Sequence, residues 1–177
     1  MTLYIVRHGK TDWNSKMLIQ GHTDIPLNEE GISAALKLAL DIKDIKYDLC
    51  FSSPLKRAVE TAKIITNNSC NIIITKELIE RNCGIFEGTK VDFDIIARQW
   101  NYELDDKEGN IESVKECLKR AQAFLNLLKN KYPDKNILIV SHGAFMKALH
   151  FCLIGYDQNT NFLTFSPENT KVYKYNL

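Results

Sequence analysis

The sequence predicts an α/β fold, a three-layer sandwich whose mostly parallel central sheet carries helices on both faces. Two observations predict it. Four short runs rich in Ile, Val, Leu and Tyr, at 3–6, 48–51, 72–74 and 137–140, show no clean polar/apolar alternation, which marks strands covered on both faces. Between them lie segments with apolar residues at helical spacing, and strands alternating with helices imply a parallel sheet. A chain of 177 residues is long enough to bury one real core, so 1–177 reads as a single domain.

The elements follow in order. After strand 3–6, Asn28 reads as the N-cap of a helix with Ile32, Ala35, Leu36 and Ala39 on its apolar face. Ser53 before Pro54 reads as a cap followed by proline at the first helical position, opening a helix through Ile65. A longer helix over 113–131 aligns Val114, Leu118, Ala121, Leu125 and Leu128, and stops before Pro133. Another runs from Gly143 to about Leu153, and 171–175 adds an edge strand. The stretch 83–110 is less regular and reads as a lid-like excursion from the sheet.

Composition narrows the function. The formal net charge of +1 gives no general attraction to nucleic acid or to a membrane surface, so an anion must be held by a few local groups. No apolar run approaches the roughly 20 residues that span a bilayer. The five cysteines are odd in number and widely spaced, which fits a reducing cytoplasm better than a disulfide framework or a zinc knuckle. The sequence sets no oligomeric state.

Two segments end alike: strand 3–6 runs into Arg7-His8-Gly9, and strand 137–140 into Ser141-His142-Gly143. In an open parallel sheet, ligands bind beyond the carboxyl ends of the strands. Two imidazoles placed there can converge on one reacting atom, and the glycines permit close approach to the backbone. His142 stands at the start of a helix, where free N–H groups favour an anion. Arg7 and Arg57 also follow strand ends, and arginine pairs phosphate oxygens in bidentate fashion. A zinc site from His8, His142 and a carboxylate is the competing reading, disfavoured by the charge of Arg7. Taken alone, a strand-end histidine or Arg57 is more often structural; the matched pairs shift the weight to function.

At this point a resemblance becomes specific. The run Arg7-His8-Gly9-Lys10-Thr11-Asp12-Trp13-Asn14 resembles a signature of the histidine phosphatase superfamily, in its phosphoglycerate mutase-like branch. The likeness continues through 20–31, 52–62, 80–88, Glu112-Ser113 and 140–143, in the family's order. It implies that His8 is the phosphorylated nucleophile and that Arg7, Arg57 and His142 line the phosphate pocket. Asn14, Gln20, Gly21 and the Gly143 backbone assist, and Glu80 is the general acid. Lys10 departs from the family's usual glutamate, with a modest electrostatic effect expected.

These roles are physically sensible. Neutral imidazole is a good nucleophile near pH 7, and nearby positive charge keeps it unprotonated. Phosphoryl transfer asks mainly for positioning and charge stabilisation, which Arg7, Arg57 and a protonated His142 would supply without metal or cofactor. Glu80 would have to hold a proton, which burial favours. The expected reaction is hydrolysis of a small phosphorylated metabolite. A cofactor-dependent phosphoglycerate mutase and a catalytically weak phospho-ligand-binding module are the alternatives. The excursion 84–112 carries eight acids against three bases, a poor lid for a bisphosphate, which favours the phosphatase. Compact size resembles broad-specificity and α-ribazole phosphatases, and Phe93, Trp100 and Tyr102 are either an apolar wall for the leaving group or simple packing. His22 is expected in an exposed loop, Cys83 as an inert filler and His150 as structural.

Overall fold

The computed structural model describes residues 1–67, 69–104 and 109–177. In chain order the elements are β1 (Thr2–Arg7), α1 (Asp12–Ser15), α2 (Glu29–Asp41), β2 (Leu49–Ser52), α3 (Lys56–Thr66), β3 (Ile72–Ile74), α4 (Phe93–Gln99), α5 (Val114–Lys131), β4 (Asn136–Ser141), α6 (Gly143–Ile154) and β5 (Val172–Asn176). The sheet order is β3-β2-β4-β1-β5, with β1, β4, β2 and β3 parallel and β5 antiparallel at the edge. The mostly parallel sheet and the edge strand are as the sequence predicts.

Both faces of the sheet are covered. Leu3, Ile5, Phe51, Ile137 and Ile139 point to one side, into a core built with α5 and α6. Their neighbours Val6, Cys50, Leu138 and Val140 point to the other, against α2 and α3. Side chains alternate between the faces of a strand, so a strand buried on both must be apolar throughout. That is why these segments show no alternation. All five residues of the predicted α5 stripe are buried, and Ser113 caps the helix in a reciprocal box with Glu116. Among the described residues no helix is long and apolar enough to cross a membrane.

Three local expectations are corrected. Asn28 does cap α2, but the buried face is Gly31, Ala35 and Leu38, while Ile32 and Leu36 are exposed. The apolar residues of α2 exceed what its buried stripe needs, so the pattern alone misplaced the face. α3 begins at Lys56, two residues past Pro54, with no cap from its own N-cap residue Leu55. Its first N–H is met instead by Asp24 Oδ1 at 2.7 Å, from across the loop, because the Ser53 hydroxyl is held by His142. The excursion contains a helix that the sequence reading did not place, α4, capped by Asp92.

One close approach fixes the loop that follows β1. A Cβ at Gly31 would stand 2.1 Å from the Lys10 carbonyl oxygen and 2.7 Å from its nitrogen. Asn28 N–H donates to that same carbonyl at 3.0 Å, so α2 lies backbone to backbone on the segment leading from His8. In an ordinary helix, alanine in place of glycine gains about 1 kcal/mol. Here Gly31→Ala is expected to lower stability by about 1–3 kcal/mol through overpacking, read from the urea midpoint. An unchanged or higher midpoint would show that the contact yields freely.

Candidate active site

The carboxyl ends of β1 and β4 set the site. Their register pairs Arg7 with Ser141, so His8 and His142 leave the sheet side by side. The ring centroids are 5.0 Å apart and both side chains are buried. Around them opens a cavity of about 550 Å³, lined among others by Arg7, His8, Asn14, Gln20, Gly21, Arg57, Glu80 and Gly143. Eight of the nine expected site residues therefore face one space. The ninth, His142, lies behind them and is fully buried.

The hydrogen bonds fix which imidazole nitrogen is free. His8 Nδ1 lies 2.6 Å from the Gly9 carbonyl, which can only accept, so Nδ1 carries the hydrogen and Nε2 keeps its lone pair. The backbone of this turn is pinned by Gly9 N–H to Thr61 Oγ1 and by Asn169 Nδ2 to the His8 carbonyl. Burial holds the His8 pKa well below 6.5, with the charges of Arg57 and Arg7 adding to the effect.

His142 corrects an expectation. Arg57 Nε donates to His142 Nδ1 at 3.2 Å, so that nitrogen is an acceptor. The other nitrogen, Nε2, lies 2.6 Å from Ser53 Oγ. Burial, then the charge of Arg57, pushes the His142 pKa well below 6.5. The ring is a neutral partner of Arg57 and not the imidazolium that the sequence suggested. The physical reason is burial of the ring behind the cavity wall, with guanidinium charge beside it.

Arg57 is fully buried, and its donors reach three residues. Besides His142, Nη1 donates to the Thr23 carbonyl and Nη2 to the Gly21 carbonyl, both at 2.8 Å. Gly21 adopts φ +48, and a Cβ there would run into Glu87, which gathers the backbone N–H groups of His22, Thr23 and Cys83. Arg7 donates through Nη1 to the Pro167 carbonyl, and its buried Nε has no partner. Gly143 lets this guanidinium lie against the backbone, since a Cβ there would meet Arg7 Cζ at 3.2 Å. Asn14 accepts twice from Thr11 through Oδ1, which leaves its amide NH₂ as the donor on the cavity side. Gln20 is buried with Oε1 unpartnered.

Glu80 is only half-buried, and its surroundings are polar instead of apolar. Oε1 accepts from Arg81 N–H and Phe145 N–H, both at 2.9 Å, while Oε2 accepts only from Ala144 N–H at 3.1 Å. The latter two donors are the first turn of α6, so the carboxyl sits on a helix N-terminus. Two residues brace it from outside the cavity. Arg120 donates to the Ile79 carbonyl at 2.8 Å and is itself held by Glu112. His22, far from being a free loop residue, directs Nε2 to the Glu80 carbonyl at 2.8 Å.

Several contributors were missed in the sequence. Ser53 was taken for a helix cap. Arg120 and Arg81 look like ordinary helix and loop charges until the fold brings them beneath Glu80. Lys147, in α6, faces the cavity from a position four residues after Gly143, a spacing that could have marked it. Of the three aromatic residues expected as a wall, Trp100 lines the cavity buried, Phe93 stands at the rim 77% exposed, and Tyr102 stacks on Phe162 instead. No described acid of the excursion lines the cavity, so its acidic count says nothing about which anion the pocket takes. Lys10 pairs with Glu30 at the surface, away from the site. Burial pushes the Cys83 thiol up to about 12, the state of an inert filler. His150 stacks on Phe165 with centroids 3.8 Å apart, a packing role.

Two imidazoles and two guanidiniums thus meet beside one carboxyl, and comparison with known proteins gives the family. The chain belongs to the histidine phosphatase superfamily (branch 1), whose family model matches residues 3–177. It is 35% identical to an uncharacterized phosphatase, PhoE, of Bacillus subtilis, over 98% of this chain and 93% of that one. It is 31% identical to a probable phosphoglycerate mutase, GpmB, of Escherichia coli, over 88% and 75% of the two chains. Among solved structures, a phosphoserine phosphatase mutant from Entamoeba histolytica in complex with phosphoserine superposes with a TM-score of 0.83 at 30% identity, covering 98% of this chain and 89% of that one. A putative α-ribazole-5′-P phosphatase from Escherichia coli gives a TM-score of 0.84 at 27% identity, with the same coverage.

The suppressed imidazole protonation has a measurable consequence. An unfolded histidine takes up a proton near 6.5, whereas His8 and His142 in the fold resist it until well below that value. The unfolded state thus binds more protons on acidification, and stability falls as the pH drops through 6.5. Each group contributes up to about 1.4 kcal/mol of loss one pH unit below its unfolded value. Urea midpoints at about pH 7.5 and 5.5 should show the loss. His8→Asn should remove roughly half of the share due to these two residues, and an identical acid loss in that variant would contradict the assignment.

Proposed function

We propose that this protein is a phosphomonoesterase that works through a phosphohistidine on His8, with Glu80 as general acid and base. One observation carries the reading: the His8 Nδ1–H is committed to the Gly9 carbonyl, so the Nε2 lone pair is available in a cavity also lined by two guanidiniums. That places a neutral nucleophile where a phosphate would be gripped.

In the first half-reaction, Nε2 attacks phosphorus and the ester P–O bond breaks. The leaving oxygen takes a proton from Glu80, for which Oε2, with a single N–H partner, is the better-placed atom. The negative charge of the bound phosphate favours a proton on that carboxyl beforehand. Arg7 and Arg57 balance the charge on the equatorial oxygens, with Asn14 donating from the side. His142 acts by presenting Arg57 at the correct angle. In the second half, water attacks phosphorus, the P–N bond breaks, and Glu80 takes the water's proton. The products are inorganic phosphate, the free alcohol and neutral His8. The charge compensation comes from arginine, so no metal ion or cofactor is called upon.

Hydrolysis is favoured over mutase chemistry by the cavity mouth, where Met17 is 60% exposed and Phe93 77% exposed. A mutase must shield its phosphoenzyme from water, and this rim leaves a path for it. Phosphatases among the relatives support the same reading. The phosphoserine and 3-phosphoglyceric acid complexes of the Entamoeba histolytica enzyme support a small phosphorylated metabolite as the substrate class. We also place the protein in the cytoplasm, as one domain; its five free cysteines suit a reducing compartment.

Phosphate release from p-nitrophenyl phosphate should persist in EDTA, and His8→Ala should abolish both turnover and acid-labile phosphate labelling. Release that stops on chelation, or labelling that survives the substitution, would overturn the mechanism. Isomerisation of 3-phosphoglycerate with little phosphate release would move the protein to the mutases.

Glu80→Gln should lower kcat for alkyl phosphates by about 10²–10⁴ and much less for aryl phosphates, because a phenolate leaves unaided. Equal losses on both would remove Glu80 from proton transfer.

A further inference from the structure

Four cationic side chains line the cavity, Arg7, Arg57, Arg81 and Lys147, against one carboxylate, Glu80. A phosphate dianion accounts for the two arginines nearest His8. Arg81 and Lys147 remain. They flank the Trp100 ring, with Arg81 Cζ 5.0 Å and Lys147 Nζ 4.6 Å from its centroid. Both are buried, at 3% and 8% exposure, which is unusual for charged groups.

The two cations differ in what they have left to offer. Arg81 directs Nε to the Glu112 carbonyl and Nη2 to the Gln99 carbonyl, so one bidentate edge of its fork is committed to backbone. Lys147 Nζ has a ring face and no hydrogen-bond acceptor among the described residues. Burial, then the charge of Arg81, lowers its pKa to about 8 against the opposing pull of Glu80. Beside them the buried Nε2 of Gln99 is also unpartnered. Two idle donors on one wall, Lys147 Nζ and Gln99 Nε2, therefore face the same cavity as His8.

We propose that Lys147, assisted by the Gln99 amide and the field of Arg81, forms a second anion subsite, and that the substrate is a phosphomonoester bearing a carboxylate on its alcohol portion. This rests on the phosphomonoesterase reading of the same cavity. A monoanion fits better than a second phosphate. A phosphate is best held by a bidentate arginine, and the Nε/Nη2 edge of Arg81 is spent on the Glu112 and Gln99 carbonyls. One ammonium and one amide suit a carboxylate. Trp100 holds the lysine stem in place while its ring face stabilises the charge.

The test uses two ligands that differ in one group: 3-phosphoglycerate, and glycerol 3-phosphate, in which a hydroxymethyl replaces the carboxylate. Calorimetric titration of the full chain carrying His8→Ala measures binding without turnover. The carboxylate ligand should bind at least about tenfold tighter, in line with a charge-assisted hydrogen bond. Adding Lys147→Met, which keeps the stem on Trp100, should shrink the ratio to below about threefold, and Lys147→Arg should restore most of it. Equal affinity for the two ligands, or a preference that survives Lys147→Met, would overturn the subsite. Failure of the underlying reading would look different: wild-type enzyme would then release no phosphate from p-nitrophenyl phosphate, whatever the ratio of affinities.

Discussion

The parallel pairing of β1 with β4 is the constraint on which the site depends. Because Arg7 faces Ser141 across the ladder, the next residue on each strand emerges at the same edge of the sheet, and those residues are the two histidines. A slip of one residue would send one ring to the opposite face. The register is held by burial of Leu3, Ile5, Ile137 and Ile139 on one side and Val6, Leu138 and Val140 on the other. Apolar packing thus sets the position of the polar groups. Arg57 then ties this strand edge to the loop at Gly21 and Thr23, so the guanidinium is oriented before any phosphate arrives.

The electrostatics follow from this arrangement. Two buried guanidiniums beside two buried imidazoles can coexist only if the imidazoles stay neutral. Neutrality is what a nucleophile needs, so on the proposed reading the charge that would grip a phosphate would also keep His8 reactive. Glu80 stands apart, on backbone N–H groups at the start of α6, with Arg120 and His22 fastening the segment that carries it.

Much of this was legible in the sequence where a local rule operates. The repeated strand-His-Gly pattern located both imidazoles, and uninterrupted apolar strands gave the covered sheet. Ser113 and Asn28 announced their helices through capping chemistry. The failures share a cause, which is dependence on partners distant in the chain. Ser53 looked like a cap because nothing local shows that His142 claims its hydroxyl, and Asp24 could not be seen to cap α3 from 32 positions away. Ile32 and Leu36 were placed inside because periodicity gives a stripe and not the direction it faces. The protonation of His142 was misjudged because it depends on which atom of Arg57 points at it. Lys147 carries only the mark of its helical spacing from Gly143, and only the fold brings it and Arg81 to one ring.

The excursion reaches the cavity through Val91, Phe93, Ile96, Gln99 and Trp100, and none of these makes a hydrogen bond to His8 or His142. On the proposed reading, this excursion shares discrimination among alcohols with Lys147 of α6, while phosphoryl transfer stays with His8, Arg7 and Arg57. Residues along one surface segment can drift or be redesigned to accept a new alcohol while the phosphorus-handling machinery stays intact. A scaffold organised in this way is well suited to diversify into many selectivities from a single ancestral reaction.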